Sequence, residues 1–480
     1  MLSLLPRLRP HALKAALERG RTGAPGGVFH ARKGALKGAL GCTFAGTLGL
    51  LCVLAGVLVA PPDARALKVD EIASQGGIKA WLVEEHSVPL VAIRFAFGGG
   101  SSQDPPGSEG LAVMVSDLLG EGAGELSADA FKERLALLGT RLSTSCGRDA
   151  LYGGLETLSK HLDASLEMLR LALLTPRFDA EAIERIRAQR LNDLAQAAND
   201  PTKLALERWY LEAFPGQPYG RPMDGTPQSV AKITASAIKT KHAQMLAKDV
   251  LRVVIVGDID RSGAAAALDH IFGGLRASSN GPPTEKLTPG IVPAPVVIDK
   301  DYPLATATFG LPSLRSDDPD FPALQVVNHI IGSGDFDSRL MEEIRVKRGL
   351  AYSVRTSLLR DTVTSLLVGG LATKNEAMGT ALAILKDVLL DVARNGPTQA
   401  QFDNAKRYLT GSFLLDFDTN AKVAGSLLSL QLLGEGPDYL THRNQRIGAV
   451  TLEGVTRVAR EVFKPERLVV TIVGRPKLQP

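Results

Sequence analysis

Apolar and polar residues alternate with a period of two soon after residue 77. Ile78-Lys79-Ala80-Trp81-Leu82-Val83 and the run Val88 to Phe97 both carry this pattern, with β-branched residues at the apolar positions. Such patterning predicts strands. A turn-rich stretch, Gly98 to Gly110, follows, and Leu111 to Leu119 then predicts a helix. The same order returns two hundred residues later. Val296-Val297-Ile298 and Ala305 to Phe309 predict strands, Gly310 to Pro322 a loop, and Ala323 to Ile331 a helix. Without a gap, Phe97-Gly98 falls on Phe309-Gly310, and Leu118-Leu119-Gly120 on Ile330-Ile331-Gly332.

Later elements also pair. Leu158 to Leu174 carries leucines at helical spacing and breaks at Thr175-Pro176-Arg177-Phe178-Asp179. Ala377 to Val392 does the same and breaks between Asn395 and Gln401. Each half closes on an apolar strand, Leu251 to Gly257 and Leu468 to Gly474. Elements repeated in one order imply a duplicated unit. The expected architecture is α+β: two homologous lobes, 67–276 and 294–480, each a mainly antiparallel or mixed sheet packed with helices. The stretch 277–293, rich in Pro, Gly and Ser, reads as a linker between them. Lobes so joined are expected to face each other as a clamshell.

Residues 1–66 have a different character. Residues 1–38 are basic with a lone acid, Glu18; Ala39 to Ala60 carry no charge; then comes Pro61-Pro62-Asp63-Ala64-Arg65-Ala66. A basic stretch, an apolar run and an Ala-x-Ala site predict a secretory signal. An uncleaved anchor through residues 39–60 is the rival, since 22 apolar residues suffice to span a bilayer. Either way, an exported or periplasmic location is expected. Charge follows the same division. The leader carries a net +7 against +4 for the whole chain, which leaves the remainder near −3. Basic character therefore belongs to the leader and gives no support to nucleic-acid binding. Beyond the leader Cys146 is the lone cysteine, so no internal disulfide or thiolate metal site is expected there.

Two blocks resemble the insulinase/pitrilysin peptidases, which include the mitochondrial processing peptidases and bear the LuxS/processing-peptidase type of fold. One is Trp81-Leu82-Val83-Glu84-Glu85-His86-Ser87-Val88-Pro89-Leu90-Val91 with Gly98 to Gly100 and Gly110-Leu111-Ala112. The other runs from Ser338-Arg339-Leu340-Met341-Glu342-Glu343 through Ile344-Arg345 to Arg348-Gly349-Leu350-Ala351-Tyr352-Ser353-Val354. Active members of the family carry H-x-x-E-H directly after the Gly-Leu-Ala segment. Histidines four apart share a helical face and a zinc ion, and the glutamate acts as base on the bound water. This chain reads Val113-Met114-Val115-Ser116-Asp117 there, with neither histidine nor the glutamate. The resemblance places the third ligand, a glutamate in the family, near Asp193. No metal site of its own is therefore expected.

Glu84-Glu85-His86 mimics the tail of the motif, but Leu82 stands at its first position and the segment alternates as a strand does. The histidines at 161, 242, 270, 329 and 442 are scattered, and His329 falls on Asp117 in the repeat. No phosphate loop or G-x-S-x-G elbow appears. One feature of the family is retained. Its substrate-holding arginine and tyrosine fall on Arg345 and Tyr352, which offer a guanidinium fork and a phenolic donor. The loop Gly332-Ser333-Gly334-Asp335-Phe336-Asp337 resembles the glycine-rich loops of processing-peptidase subunits.

These features lead to one principal expectation. The chain is a non-catalytic subunit that needs no cofactor itself and forms a heterodimer with a zinc-bearing paralogue, helping to hold a peptide substrate. A peptide-binding or scaffold protein with no proteolytic partner is the alternative, as in the family-like core subunits of respiratory complexes. A self-sufficient hydrolase with another centre is the third possibility.

Overall fold

The computed structural model describes residues 67–281, 286–292, 294–413 and 417–478. The leader, and with it the signal and anchor expectations, lies outside the described residues. Among the described residues no helix is long and apolar enough to cross a membrane.

Among the described residues, eleven strands form two sheets. The first contains β1 (Asp70–Ala73), β2 (Lys79–Glu84), β3 (Leu90–Gly98), β4 (Arg141–Cys146), β5 (Ala150–Leu158) and β6 (Leu251–Gly257), in the order β1-β2-β6-β3-β5-β4. The second contains β7 (Val296–Ile298), β8 (Leu304–Pro312), β9 (Ala351–Arg360), β10 (Ser365–Lys374) and β11 (Val469–Val473), in the order β7-β11-β8-β10-β9. Both are mixed: β2 runs parallel to β6 and β7 parallel to β11, and every other neighbouring pair is antiparallel. The second sheet is therefore the first without its β1 edge.

Register sharpens the repeat. Phe95 stands opposite Gly153, and Phe309 opposite Gly369. In both pairs the aromatic ring lies on the glycine: a Cβ on Gly153 would sit 1.9 Å from the Phe95 ring, and one on Gly369 2.3 Å from that of Phe309. Phe95, rather than Phe97, is thus the counterpart of Phe309. The gapless alignment is two residues out along these strands. A two-residue slip keeps every side chain on its own face, so apolar alternation cannot detect it. The Gly-Gly pairs also explain why β5 and β10 escape a propensity reading: glycine is a poor strand former, but here it makes room for a ring.

Helical expectations are largely met, with shifts at the ends. Leu111–Leu118, Leu162–Leu174 and Met378–Asn395 are helices. Ala323 to Ile331 differs: the helix is Phe321–Asn328 and widens to a π turn over His329–Ser333.

The lobes are held by more than the linker. The helix Pro201–Ala213 belongs to the first half in sequence, yet it packs on the second sheet. Its Trp209, Tyr210 and Ala213 cluster with Leu366 and Val469, Trp209 Nε1 donates to the Val469 carbonyl at 3.1 Å, and Thr471 Oγ1 donates to that of Ala205 at 2.7 Å. Conversely, the helix Asn420–Leu432 of the second half covers the first sheet. Its Val423, Ala424, Leu427 and Leu428 pack against Trp81, Val83, Ala92, Val254 and Val256. Each sheet thus has one face covered by helices of its own half and the other by a helix from the opposite half. The described linker residues 286–292 are tied down, as Leu287 N–H donates to Val363 O at 2.9 Å and Gly290 N–H to Ala213 O at 2.8 Å.

Candidate functional site

The helix Leu111–Leu118 occupies the place where the family builds its zinc centre. Its start is firmly fixed. Gly110 has φ +88°, and a Cβ there would meet the Asp224 carbonyl oxygen at 2.7 Å, so only glycine lets the 224–225 backbone approach so closely. Asp104, fully buried, accepts the Ala112 N–H at 3.1 Å and pairs with Lys241 Nζ at 3.1 Å. Burial pushes the Asp104 carboxyl upward while Lys241 opposes the shift. The apolar side, Leu111, Met114, Val115 and Leu118, packs on Ile183 and Ile186 of the helix Ala180–Ala197.

The three positions of the zinc motif hold other chemistry. Val113 is buried and has no lone pair to give a metal. Ser116 is fully buried and its hydroxyl has no hydrogen-bond partner. Asp117 is gripped by Arg190, whose Nε donates to Oδ2 at 2.5 Å and Nη2 to Oδ1 at 2.6 Å. The same guanidinium has Nη1 at 4.0 Å from Asp193 Oδ2 and at 4.0 Å from Asp224 Oδ1. Burial raises the Asp117 carboxyl above the ordinary aspartate value, with the Arg190 fork pulling the other way. Burial opposes the charge on Arg190 too, but Asp117, then Asp224 and Asp193, outweigh it and raise its pKa. The zinc that the family would bind here does not fit these residues: the aliphatic, hydroxyl and already-paired carboxylate groups leave no nitrogen ligand, and a guanidinium stands among the acids. The Asp117–Arg190 pair joins positions 73 apart in sequence, and no local pattern reveals it.

His86 has a structural partnership instead of a metal. Its Nδ1 lies 2.8 Å from Asp258 Oδ1, and that hydrogen bond raises the imidazole pKa. His242 is half-buried with Nε2 2.9 Å from the Leu173 carbonyl oxygen, and desolvation lowers its pKa.

Arg345 and Tyr352 meet in the second lobe. Met341–Val346 forms a π turn, Gly349 at φ +61° reverses the chain, and β9 begins at Ala351. This tight reversal brings residues seven apart face to face. The Arg345 guanidinium carbon sits 4.5 Å from the centre of the Tyr352 ring and 4.6 Å from that of Phe336. Tyr352 is 81% exposed and Phe336 61%. Among the described residues the Arg345 guanidinium has no hydrogen bond or carboxylate partner, so stacking holds the plane while its N–H edge stays open to a ligand. Phe336, in the glycine-containing loop, is a member of this group that residue types alone do not disclose. A pocket of about 310 Å³ lies beside it, lined by His329, Phe336, Asp337, Asn404 and Tyr408 among others, with the His329 and Tyr408 rings stacked at 4.6 Å. No hydrogen bond, ion pair or ring contact links the Arg345 group to the Val113–Asp117 segment among the described residues.

Duplicated mixed-sheet lobes, a zinc helix without its ligands and an exposed arginine–tyrosine stack together define a metallopeptidase-type fold with an emptied metal centre. Residues 80–227 match Insulinase (Peptidase family M16), and residues 232–409 match the Peptidase M16 inactive domain. The chain is 30% identical over 366 residues to a protein named non-peptidase homolog YmxG of Helicobacter pylori, covering 76% of this chain and 83% of that one. It is 25% identical over 407 residues to an uncharacterized zinc protease of Mycobacterium bovis, covering 84% and 93%. A crystal structure described as a peptidase M16 inactive domain from Pseudomonas fluorescens superposes with TM-score 0.81 at 27% identity, covering 86% and 99%. The chain belongs to peptidase family M16, the insulinase family.

Proposed function

We propose that this chain is the non-catalytic subunit of an exported M16 peptidase complex, supplying substrate-holding groups to a zinc-bearing paralogue. The observation that carries the reading is the pairing of an emptied zinc helix with an open Arg345–Tyr352–Phe336 stack. Loss of zinc chemistry removes the reason to keep a substrate grip unless another active site uses it. In the complex, the Arg345 fork holds peptide carbonyls and Tyr352 adds a phenolic donor, so the pair positions substrate or meets charge developing on the partner's scissile carbonyl. The zinc belongs to the partner.

The test mixes this chain with a paralogue that carries an intact H-x-x-E-H. Peptide cleavage is expected only in the mixture, and Arg345→Ala or Tyr352→Ala is expected to reduce it by tenfold or so, the scale of a lost positioning contact. Cleavage by this chain alone, abolished by a chelator, would overturn the reading. A peptide-binding or scaffold role without a proteolytic partner is the second reading, favoured by the name non-peptidase homolog of the Helicobacter relative. It predicts peptide capture that needs Arg345 but no cleavage in any mixture.

A further inference from the structure

We propose that Arg190 is the resident cation of the emptied centre: its guanidinium does electrically what zinc does in active relatives, joining the helix Leu111–Leu118 to the helix Ala180–Ala197. This goes beyond the proposed function and does not depend on any partner.

Four observations carry it. Asp117, at the position of the family's second histidine, is held by both oxygens on one guanidinium at 2.5 and 2.6 Å. Asp193, which the resemblance places nearest the third ligand, lies 4.0 Å from the same guanidinium. Asp224 arrives at 4.0 Å on a loop whose close approach depends on Gly110. Finally, Ser116, where the family keeps its base, is buried with no partner for its hydroxyl, so no polar network competes for the site.

A metal centre ties helices together because one dense positive charge satisfies several anionic or lone-pair donors at once. A guanidinium can do the same with up to five N–H groups, and it is always charged. It differs in being covalently attached. It cannot dissociate, it polarises no water, and it makes the lobe's packing independent of metal supply. Without it, the largely buried Asp117 carboxylate would stand unpaired beside the more exposed Asp193 and Asp224, and leaving a buried charge unpaired costs a large free energy.

The experiment measures melting temperature of the full chain in a chelator, in millimolar Mn²⁺ and in NaCl of matched ionic strength, with metal content by mass spectrometry. The wild type is expected to carry no stoichiometric metal and to melt identically in all three. Arg190→Ala is expected to melt lower by about 5 °C or more in chelator. Mn²⁺ should restore part of this loss beyond what NaCl restores, and Arg190→Ala with Asp117→Asn should lose that Mn²⁺-specific gain. Arg190→Ala melting like the wild type, recovery in Mn²⁺ no greater than in NaCl, or stoichiometric zinc in the wild type would each overturn the proposal. If Arg190→Ala does not fold, Asp117→Asn carries the test. It must lower the melting temperature, and wild-type melting of that variant refutes the assignment.

Discussion

Replacing Trp209 by alanine tests whether the exchanged helices, and not the linker, hold the lobes together. Trp209 comes from the first half, is fully buried, and packs on β11 and β10 of the second. Truncating a buried tryptophan costs about 3–5 kcal/mol through lost transfer energy and the cavity left behind. Losing the hydrogen bond from Nε1 to the Val469 carbonyl adds about 1 kcal/mol. The sum is near 4–6 kcal/mol, a large part of the total stability of an ordinary domain. Urea unfolding followed by far-UV circular dichroism reads this cost. The chain has two tryptophans, so Trp81 remains in the variant as a fluorescent reporter on the first sheet, beneath the other exchanged helix. Because each sheet is covered by the opposite half, the wild type is expected to lose tryptophan fluorescence, from Trp81 and Trp209 together, and secondary structure in one coincident transition. A cost under about 1 kcal/mol, or wild-type transitions that separate by probe, would refute the reasoning.

Other consequences are more local. Burial, then the Asp149 carboxylate, pushes the Asp361 carboxyl up to about 6, with Arg148 opposing, at a point where Thr362 N–H donates to Asp149 Oδ2 at 2.6 Å across the lobes. A folded-state pKa above the unfolded value means stability is lost as pH rises through it, so Asp361→Asn is expected to stabilise by about 1–2 kcal/mol at ~pH 8, and to change little near ~pH 4. Burial, then Asp104, pushes the Cys146 thiol up to about 12. Its alkylation at neutral pH, followed by peptide mapping, is expected to be at least about tenfold slower in the native chain than in urea, and equal rates would contradict the raised thiol of this half-buried residue. Tyr352→Ala removes an exposed ring, so its stability is expected to stay within about 1 kcal/mol of wild type by the same denaturation assay, which separates any loss of peptide handling from misfolding.

Relatives of this chain bear opposite names, one a zinc protease and another a non-peptidase homolog, at 25% and 30% identity. Identity spread over hundreds of positions reports the fold, whereas hydrolysis by zinc rests on a few side chains within one helix and one residue beyond it. Val113, Ser116 and Asp117 are the informative positions here, and no overall similarity substitutes for them.

The sequence alone determined the duplicated α+β architecture, because period-two and helical spacing are written locally; the vacated zinc motif at Val113–Asp117 and the choice of Arg345 and Tyr352 came instead from the resemblance of two short blocks to the insulinase family. Three things were decided only in the tertiary structure. The register of the repeat depends on Phe95 lying on Gly153, a contact across strands that alternation cannot distinguish from a two-residue slip. The exchange of Pro201–Ala213 and Asn420–Leu432 is also invisible in the chain, since an apolar stripe shows that a helix face will be buried but not whose sheet will bury it. The guanidinium of Arg190 between Asp117, Asp193 and Asp224 belongs to the same class: charges far apart in sequence have no mutual energy until folding removes the water between them.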